Sequence, residues 1–439
     1  MKVLKVSLIF LMASSVTAAQ DWQHPDLDGY VTRAVSATDF DVNGIHILCS
    51  EKTLSEEPIL SSGSRADNGK AGTQGCPART PIVGTPMRVY GAMKRREHTL
   101  AATLIIASPI EPDEIGGSAV IDALANESSD GTRLDGLLVR ADGYAIRITA
   151  QTEVSRRGGL HGSGAVKAGD WIEYKASPAK NGEYVAQRAK IFPVVVSKGE
   201  SKLRAGSDFD PSAVPDNAKQ NLLRESFLGY DPKRFPPYKD AAMQARVDRI
   251  GERLIPSWNQ EMPDSNTAKI HFRFQVINAK WFHNAWTLPS GVILISRQVI
   301  ERMENDDQLA TVLADNIACA LERQEFRVRP AAHAATAAFY GAEVADVFVP
   351  FVGPAVQVAT MGGGAEVLRR QRQQSGRVSL RLLSDAGYDT RQAPLAWWRL
   401  ATLKDEPVTA LPMPDRAAYL YKVLGEHWNA EAEETSANQ

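Results

Sequence analysis

Asp315 and Cys319 stand four residues apart in an apolar stretch, a spacing that puts two side chains on one face of a helix. A carboxylate and a thiolate so placed are both able to bind zinc, and His283 or His333 would complete a rebuilt site. Between them lies Asn316, a neutral amide that cannot take a proton from a metal-bound water. Such a site would lack its base. Other catalytic patterns are weaker. Gly362-Gly363-Gly364 lacks the Lys-Ser/Thr of a phosphate loop and follows no strand of the required kind. Ser290 and Ser296 have no histidine that the sequence pairs with them. His271 alternates with Phe272 and Phe274 and reads as a structural histidine.

The elements that would position these groups are legible from periodicity. Leu309, Val312, Leu313, Ile317 and Leu321 form one face of a helix predicted over residues 307–324, with Asp306 as its capping residue. Before it come a helix from Asp240 with Met243, Val247, Ile250 and Leu254 inward, and two strand-like runs, Ile270 to Ile277 and Val292 to Ser296. A short helix from Arg297 to Met303 joins them to the long one. A later helix is predicted from Glu366 to Ala386, ending at Gly387 as its C′ residue. Between the two long helices, Ala331 to Met361 carries only Glu343 and Asp346 as charges and is interrupted by Pro350, Gly353 and Pro354. That pattern reads as a buried helical hairpin rather than a membrane span.

At 439 residues, with 44% hydrophobic and 23% charged side chains, the chain is predicted to form two or three ordinary globular domains. Its 50 Lys+Arg against 52 Asp+Glu create no global field favouring nucleic acid or an anionic membrane. Lys2 and Lys5 precede the apolar run Val6 to Met12 and the small residues ending at Ala18-Ala19, the three-part pattern of a cleaved signal peptide. The protein is therefore expected to be periplasmic or secreted, with no transmembrane span after cleavage. In an oxidising compartment thiols pair. Cys49 and Cys76 flank the Gly/Ser-rich loop Ser61 to Gly75 and are the natural pair, leaving Cys319 free.

Between Pro86 and Ser197 the pattern changes to short β-type runs, including Leu100 to Ala107, Trp171 to Lys175 and Tyr184 to Val195. Asp142-Gly143 separates two of them as a tight-hairpin signal. A small antiparallel barrel or sandwich is predicted, without the aromatic-basic stripe of a nucleic-acid binder.

The run His283-Asn284-Ala285-Trp286-Thr287-Leu288-Pro289-Ser290-Gly291, continuing to Glu304-Asn305-Asp306-Asp307-Gln308-Leu309-Ala310, resembles metallopeptidase family 48, the HtpX-like and CAAX prenyl endopeptidases. Ser384-Asp385-Ala386-Gly387-Tyr388-Asp389 resembles that family's Ala-Gly-Tyr-Asp signature, and Pro412-Met413-Pro414-Asp415-Arg416 the end of its C-terminal motif. The resemblance spans residues 237–428 and implies a zincin-like peptidase domain. It aligns the family's His-Glu-x-x-His with Asp315-Asn316-Ile317-Ala318-Cys319, its glutamate ligand with Gln374, the neighbouring aspartate with Gly376, and its C-terminal histidine with Ala410, while the arginine is kept as Arg416. Both histidines, the base and the third ligand are thus replaced, and zinc is expected to be lost. On this reading Asp315 and Cys319 are polar and small residues filling the former cavity.

The resulting expectation is an α+β chain: a signal peptide at 1–19, a loop-rich disulfide-bearing extension at 20–84, a small β domain at 85–197, a linker at 198–236, a mainly helical zincin-like domain at 237–429 and a disordered tail at 430–439. Its function is read as that of an inactive pseudopeptidase binding extended polypeptide or regulating envelope proteolysis. Asn284, Ala285, Leu288, Pro289 and Arg416 are the groove candidates. The alternatives are a metalloendopeptidase with atypical ligands and a structural envelope protein.

Overall fold

The computed structural model describes residues 24–56, 73–108, 114–125, 134–156, 165–179, 182–208, 235–324, 326–327 and 364–437. The signal peptide expected at 1–19, the helical hairpin expected at 331–361 and residues 209–234 of the linker lie outside them. The chain is α+β, with β sheets first and a mainly helical region after them.

Seven strands come first: β1 (Leu27–Ser36), β2 (Asp39–Val42), β3 (Ile45–Leu48), β4 (Leu54–Glu56), β5 (Thr73–Gln74), β6 (Pro86–Lys94) and β7 (Thr99–Ala107). They pair in the order β3-β2-β1-β6-β7, and β3 returns parallel to β7. Six more follow: β8 (Ile115–Ala125), β9 (Leu138–Ala141), β10 (Tyr144–Arg147), β11 (Glu153–Arg156), β12 (Trp171–Pro178) and β13 (Tyr184–Phe192). Here the order is β10-β9-β8-β12-β13, closed by a parallel β10–β13 pairing. Each set is a five-stranded barrel with OB-fold topology. We refer to them as barrel 1 and barrel 2.

The barrels are copies of one plan down to single hydrogen bonds. Asn43-Gly44 and Asp142-Gly143 turn the two equivalent hairpins with φ of 48° and 70°, and of 56° and 76°, the conformation a primed turn requires. Buried Thr53 accepts from Ser50 N (2.9 Å) and donates to Ala102 O (2.9 Å). Thr152 accepts from Thr149 N (2.9 Å) and donates to Ala186 O (2.7 Å). Gly84 N bonds Val31 O as Gly169 N bonds Ile121 O, both at 2.8 Å. Strands β4 and β11 each add parallel to the last barrel strand.

This duplication corrects the domain boundaries read from sequence. The residues expected to be an extension at 20–84 contribute three of the five strands of barrel 1, β1 to β3, and the added strands β4 and β5, and the division falls between Ala107 and Ile115 rather than at residue 85. Strands β2 to β5 are two to four residues long, too short to show a period of two. The Cys49–Cys76 disulfide is present, with Cα atoms 5.4 Å apart, and clips β3 to the segment after β5. On the chain-entropy account a loop of this size is worth about 3 kcal/mol.

Helix α1 (Lys198–Ser207) opens what was read as a linker, capped by Ser197 Oγ accepting from Glu200 N. The C-terminal domain contains α2 (Ala241–Leu254), α3 (Ser257–Glu261), α4 (Arg297–Arg302), α5 (Asp306–Leu321), α6 (Gly364–Asp385), α7 (Gln392–Ala401) and α8 (Asp415–Ala437). It also holds a sheet of β14 (Arg273–Ile277), β16 (Val292–Ser296) and β15 (Ala285–Thr287) in the order β14-β16-β15. Asp240 caps α2 through Met243 N. Asn305, not Asp306, caps α5, accepting from Gln308 N at 2.8 Å; Asp306 instead pairs with Arg246 and Arg249. Gly387 follows α6 at φ 72°, as a C′ residue must. Residues 430–437, expected to be a disordered tail, continue α8, because extending a nucleated helix costs little.

Both barrels dock on this domain by their equivalent hairpin turns. The Gly44 turn backs onto Thr409 and Trp398. A Cβ added at Gly143 would lie 2.6 Å from Arg377 Cβ. Arg377 Nε donates to Asp142 O (3.0 Å), Arg381 Nε to Gly143 O (3.3 Å), and Arg140 Nη1 reaches Asp385 (3.0 Å). Residues 377, 381 and 385 recur every four positions and so present one stripe of α6 to barrel 2.

Replacing Thr53 or Thr152 by Val should cost a similar amount in each barrel, about 1–3 kcal/mol, since each change removes the partner of two backbone groups, one of them the carbonyl of a buried residue. Urea unfolding of the two variants checks this, and a large cost in one with none in the other would contradict the equivalence.

Candidate functional site

From Gln308 to Leu321 every residue of α5 except Cys319 is buried, so each polar side chain on it must find a partner inside the protein. Asp315 (5% exposed) forms an ion pair with Arg416 of α8. The Arg416 guanidinium also lies over the Trp397 ring, 3.3 Å from its centroid, which holds the cation on the inner side of α7. Asn316 is fixed at both ends of its amide. Oδ1 accepts from Thr287 Oγ1 on β15 (2.8 Å), and Nδ2 donates to Val312 O one turn back (2.8 Å). Cys319 is half-buried and forms no disulfide.

Gln374, on α6, faces barrel 2. Its Nε2 donates to Ser118 O (3.1 Å) and to Glu322 Oε2 (3.3 Å), and Oε1 accepts from Gln324 (3.4 Å). Glu322 follows α5 directly, is fully buried, and accepts from Val120 N of β8 (3.3 Å). Burial lifts its carboxyl well above the usual carboxylate range; Asp142 and Asp122 push the same way, opposed by Arg327 and the Val120 N–H. Glu322 and Arg327 went unnoticed in the sequence. The available signal was the spacing of Asp315, Cys319 and Glu322, which places all three along one helical stripe.

The groove candidates separate. Asn284 is exposed and its Oδ1 accepts from Ala285 N (2.9 Å). Ala285 and Thr287 are buried against α5, and Pro289 is half-buried. Leu288 is fully buried with Phe235, Phe282, Val292 and Leu294, so it is core and presents nothing to a ligand. The strand after the segment, β16, is buried at every residue and paired on both sides. β15 is an edge of this sheet, as is β14 on the other side of β16. Ala410, at the family's C-terminal histidine position, is exposed, while Arg416 is engaged by Asp315. Tertiary structure thus brings Asp315 and Arg416 together, and Asn316 with Thr287, but sends Gln374 toward barrel 2.

Residues 241–421 match Peptidase family M48. The C-terminal domain belongs to that family. Residues 127–190, inside barrel 2, match a domain of unknown function, DUF5666. No curated protein matches the chain. The M48 domain makes this a peptidase-related protein, and the family implies zinc.

The residues present do not fit that ion. The carboxylate that the resemblance aligns with the first ligand is paired with a guanidinium, and the amide aligned with the third donates from Nε2 to two acceptors and accepts at Oε1 from Gln324, so both ends of it are engaged by protein groups. Among the described residues no group of three His, Cys, Asp or Glu side chains is placed to hold a metal. His283 is exposed; His333 lies outside the described residues.

Arg416→Met should destabilise the protein by about 3 kcal/mol at pH 7, because Asp315 is left as a buried, uncompensated charge. Adding Asp315→Leu should recover most of that loss in a double-mutant cycle followed by urea unfolding. A second expectation concerns pH. The folded Glu322 carboxyl titrates above its ordinary value of 4.5, so its contribution to stability is complete below that pH and declines as pH rises toward the folded pKa. Glu322→Gln should therefore be more stable than wild type at pH 8, with the gap closing toward pH 4. An unchanged pH profile would contradict it.

Proposed function

We propose that this protein is an exported pseudopeptidase, an M48 relative that binds extended polypeptide in the cell envelope without hydrolysing it. One observation carries the reading. Where the family places its first histidine and its general base, this chain has a carboxylate committed to Arg416 and an amide committed to Thr287 and Val312. Loss of a general base alone costs on the order of 10²–10⁴ in rate, and loss of the metal removes both Lewis acid and activated water.

What remains is an edge strand. Ser296 N donates to Asn284 O and Leu288 N to Val292 O, so the even-numbered residues of this segment face β16. Ala285 and Thr287 consequently turn their backbone groups outward, where an extended peptide adds by β-augmentation. Asn284 Oδ1 occupies the Ala285 N–H and would be displaced by such a peptide. Export rests on the three-part pattern of residues 1–19 and is consistent with the Cys49–Cys76 disulfide, since such bridges persist in oxidising compartments.

The purified protein should contain no stoichiometric zinc, leave casein intact, and bind unfolded envelope polypeptides equally well with and without a chelator. Stoichiometric zinc with cleavage that disappears in Cys319→Ala would instead establish a metalloendopeptidase with atypical ligands. Chelator-sensitive binding would also sink the proposal.

A further inference from the structure

Gln374 occupies the position at which the family holds its metal with a glutamate, and the structure shows what the amide does there. Strand β9 pairs with β8 only from Ile121 onward, so Ser118 and Val120 have β12 on one side and no strand on the other. Ser118 O and Val120 N point to that open edge. Side chains of the M48 domain satisfy both. Ser118 O accepts from Gln374 Nε2 (3.1 Å) and Arg327 Nη1 (3.2 Å), and Val120 N donates to Glu322 Oε2 (3.3 Å). Trp171 of β12 supports the arrangement: its indole N–H donates to Ser118 Oγ (2.7 Å) and its ring lies beneath Arg327, 5.3 Å away.

The chemistry of position 374 follows from its neighbours. Both groups facing Nε2, the Ser118 carbonyl and Glu322 Oε2, are acceptors. An amide donates to them. A glutamate there offers one donor at most, and none once ionised as a metal ligand, where the amide gives two, at a site where Gln374 is 7% exposed and Glu322 fully buried, an arrangement without solvent to relieve it. We propose that the former third-ligand position has become a reader of an extended backbone edge, with β8 of barrel 2 as its resident ligand, so that a metal-ligating carboxylate at 374 and a docked barrel 2 exclude one another. Loss of the zinc ligand and attachment of the barrel are then two sides of one substitution. The proposal rests on the assignment of position 374 and is independent of polypeptide binding at β15.

The test is amide hydrogen exchange at Val120 in the full chain at neutral pH, because that N–H is protected only by Glu322. Gln374→Glu should speed exchange on the order of tenfold or more, and Gln374→Met, which removes the donor without adding charge, by less. Ser118→Ala, which keeps the backbone groups, should stay within roughly threefold of wild type. The swap Glu322→Gln with Gln374→Glu restores one donor facing one acceptor and should return protection, and folding if Gln374→Glu alone fails to fold. Wild-type exchange in Gln374→Glu, or a swap no better than that single variant, would overturn the inference. Absence of polypeptide binding by the wild type would sink the preceding reading and leave these exchange rates as they are.

Discussion

A carboxylate on a helix buried along its length must find a cation, and Asp315 finds Arg416. The rest of the degenerate site is arranged around that pair. It ties α8 to α5 through one side-chain pair, places the guanidinium over Trp397, and sets a fixed positive charge against the carboxylate. The buried carboxylate is thus balanced by a protein cation. A buried pair of this kind is weak evidence for net stability, yet breaking it from one side is costly, so the two positions are bound to each other.

The same logic of satisfied polar groups governs how barrel 2 is held. Its contact with α6 consists largely of side chains meeting backbone: Gln374 with Ser118 O, Arg377 with Asp142 O, Arg381 with Gly143 O. A closed five-stranded barrel has few backbone groups free, and those few lie where strands part and at hairpin turns. The M48 domain meets the barrel at such points. Barrel 1, built on the same plan, uses its own hairpin turn and the Gly84 turn against α7 and α8, so one docking geometry has been used twice on different helices.

How much of this was legible beforehand depended on element length. Helices of ten residues or more announced themselves by periodicity and caps, and Asp142-Gly143 marked its hairpin because only a few residue types accept positive φ in succession. Asn43-Gly44 carries the same signal, but β2 and β3 beside it are four residues each, too short for alternation to mark them as strands. The internal repeat was hidden for the related reason that its conserved features are hydrogen bonds of Thr53 and Thr152 and turns at Gly84 and Gly169, not a run of similar residues. Leu288 reads as part of a groove because it sits in a motif; its burial with Phe235 and Phe282 depends on segments more than fifty positions apart converging on one side of the sheet.

By itself the sequence determined that α5 carries Asp315, Asn316 and Cys319 within one turn, that Cys49 and Cys76 are natural partners, and that the C-terminal domain is of a peptidase kind, because these follow from residue identity and local spacing. Only the tertiary structure decided which groups occupy the altered positions. That Asp315 meets a cation, that Gln374 turns to barrel 2, and that Glu322 lies buried beneath Val120 are consequences of packing between segments far apart in the chain, and burial alone makes each pairing obligatory.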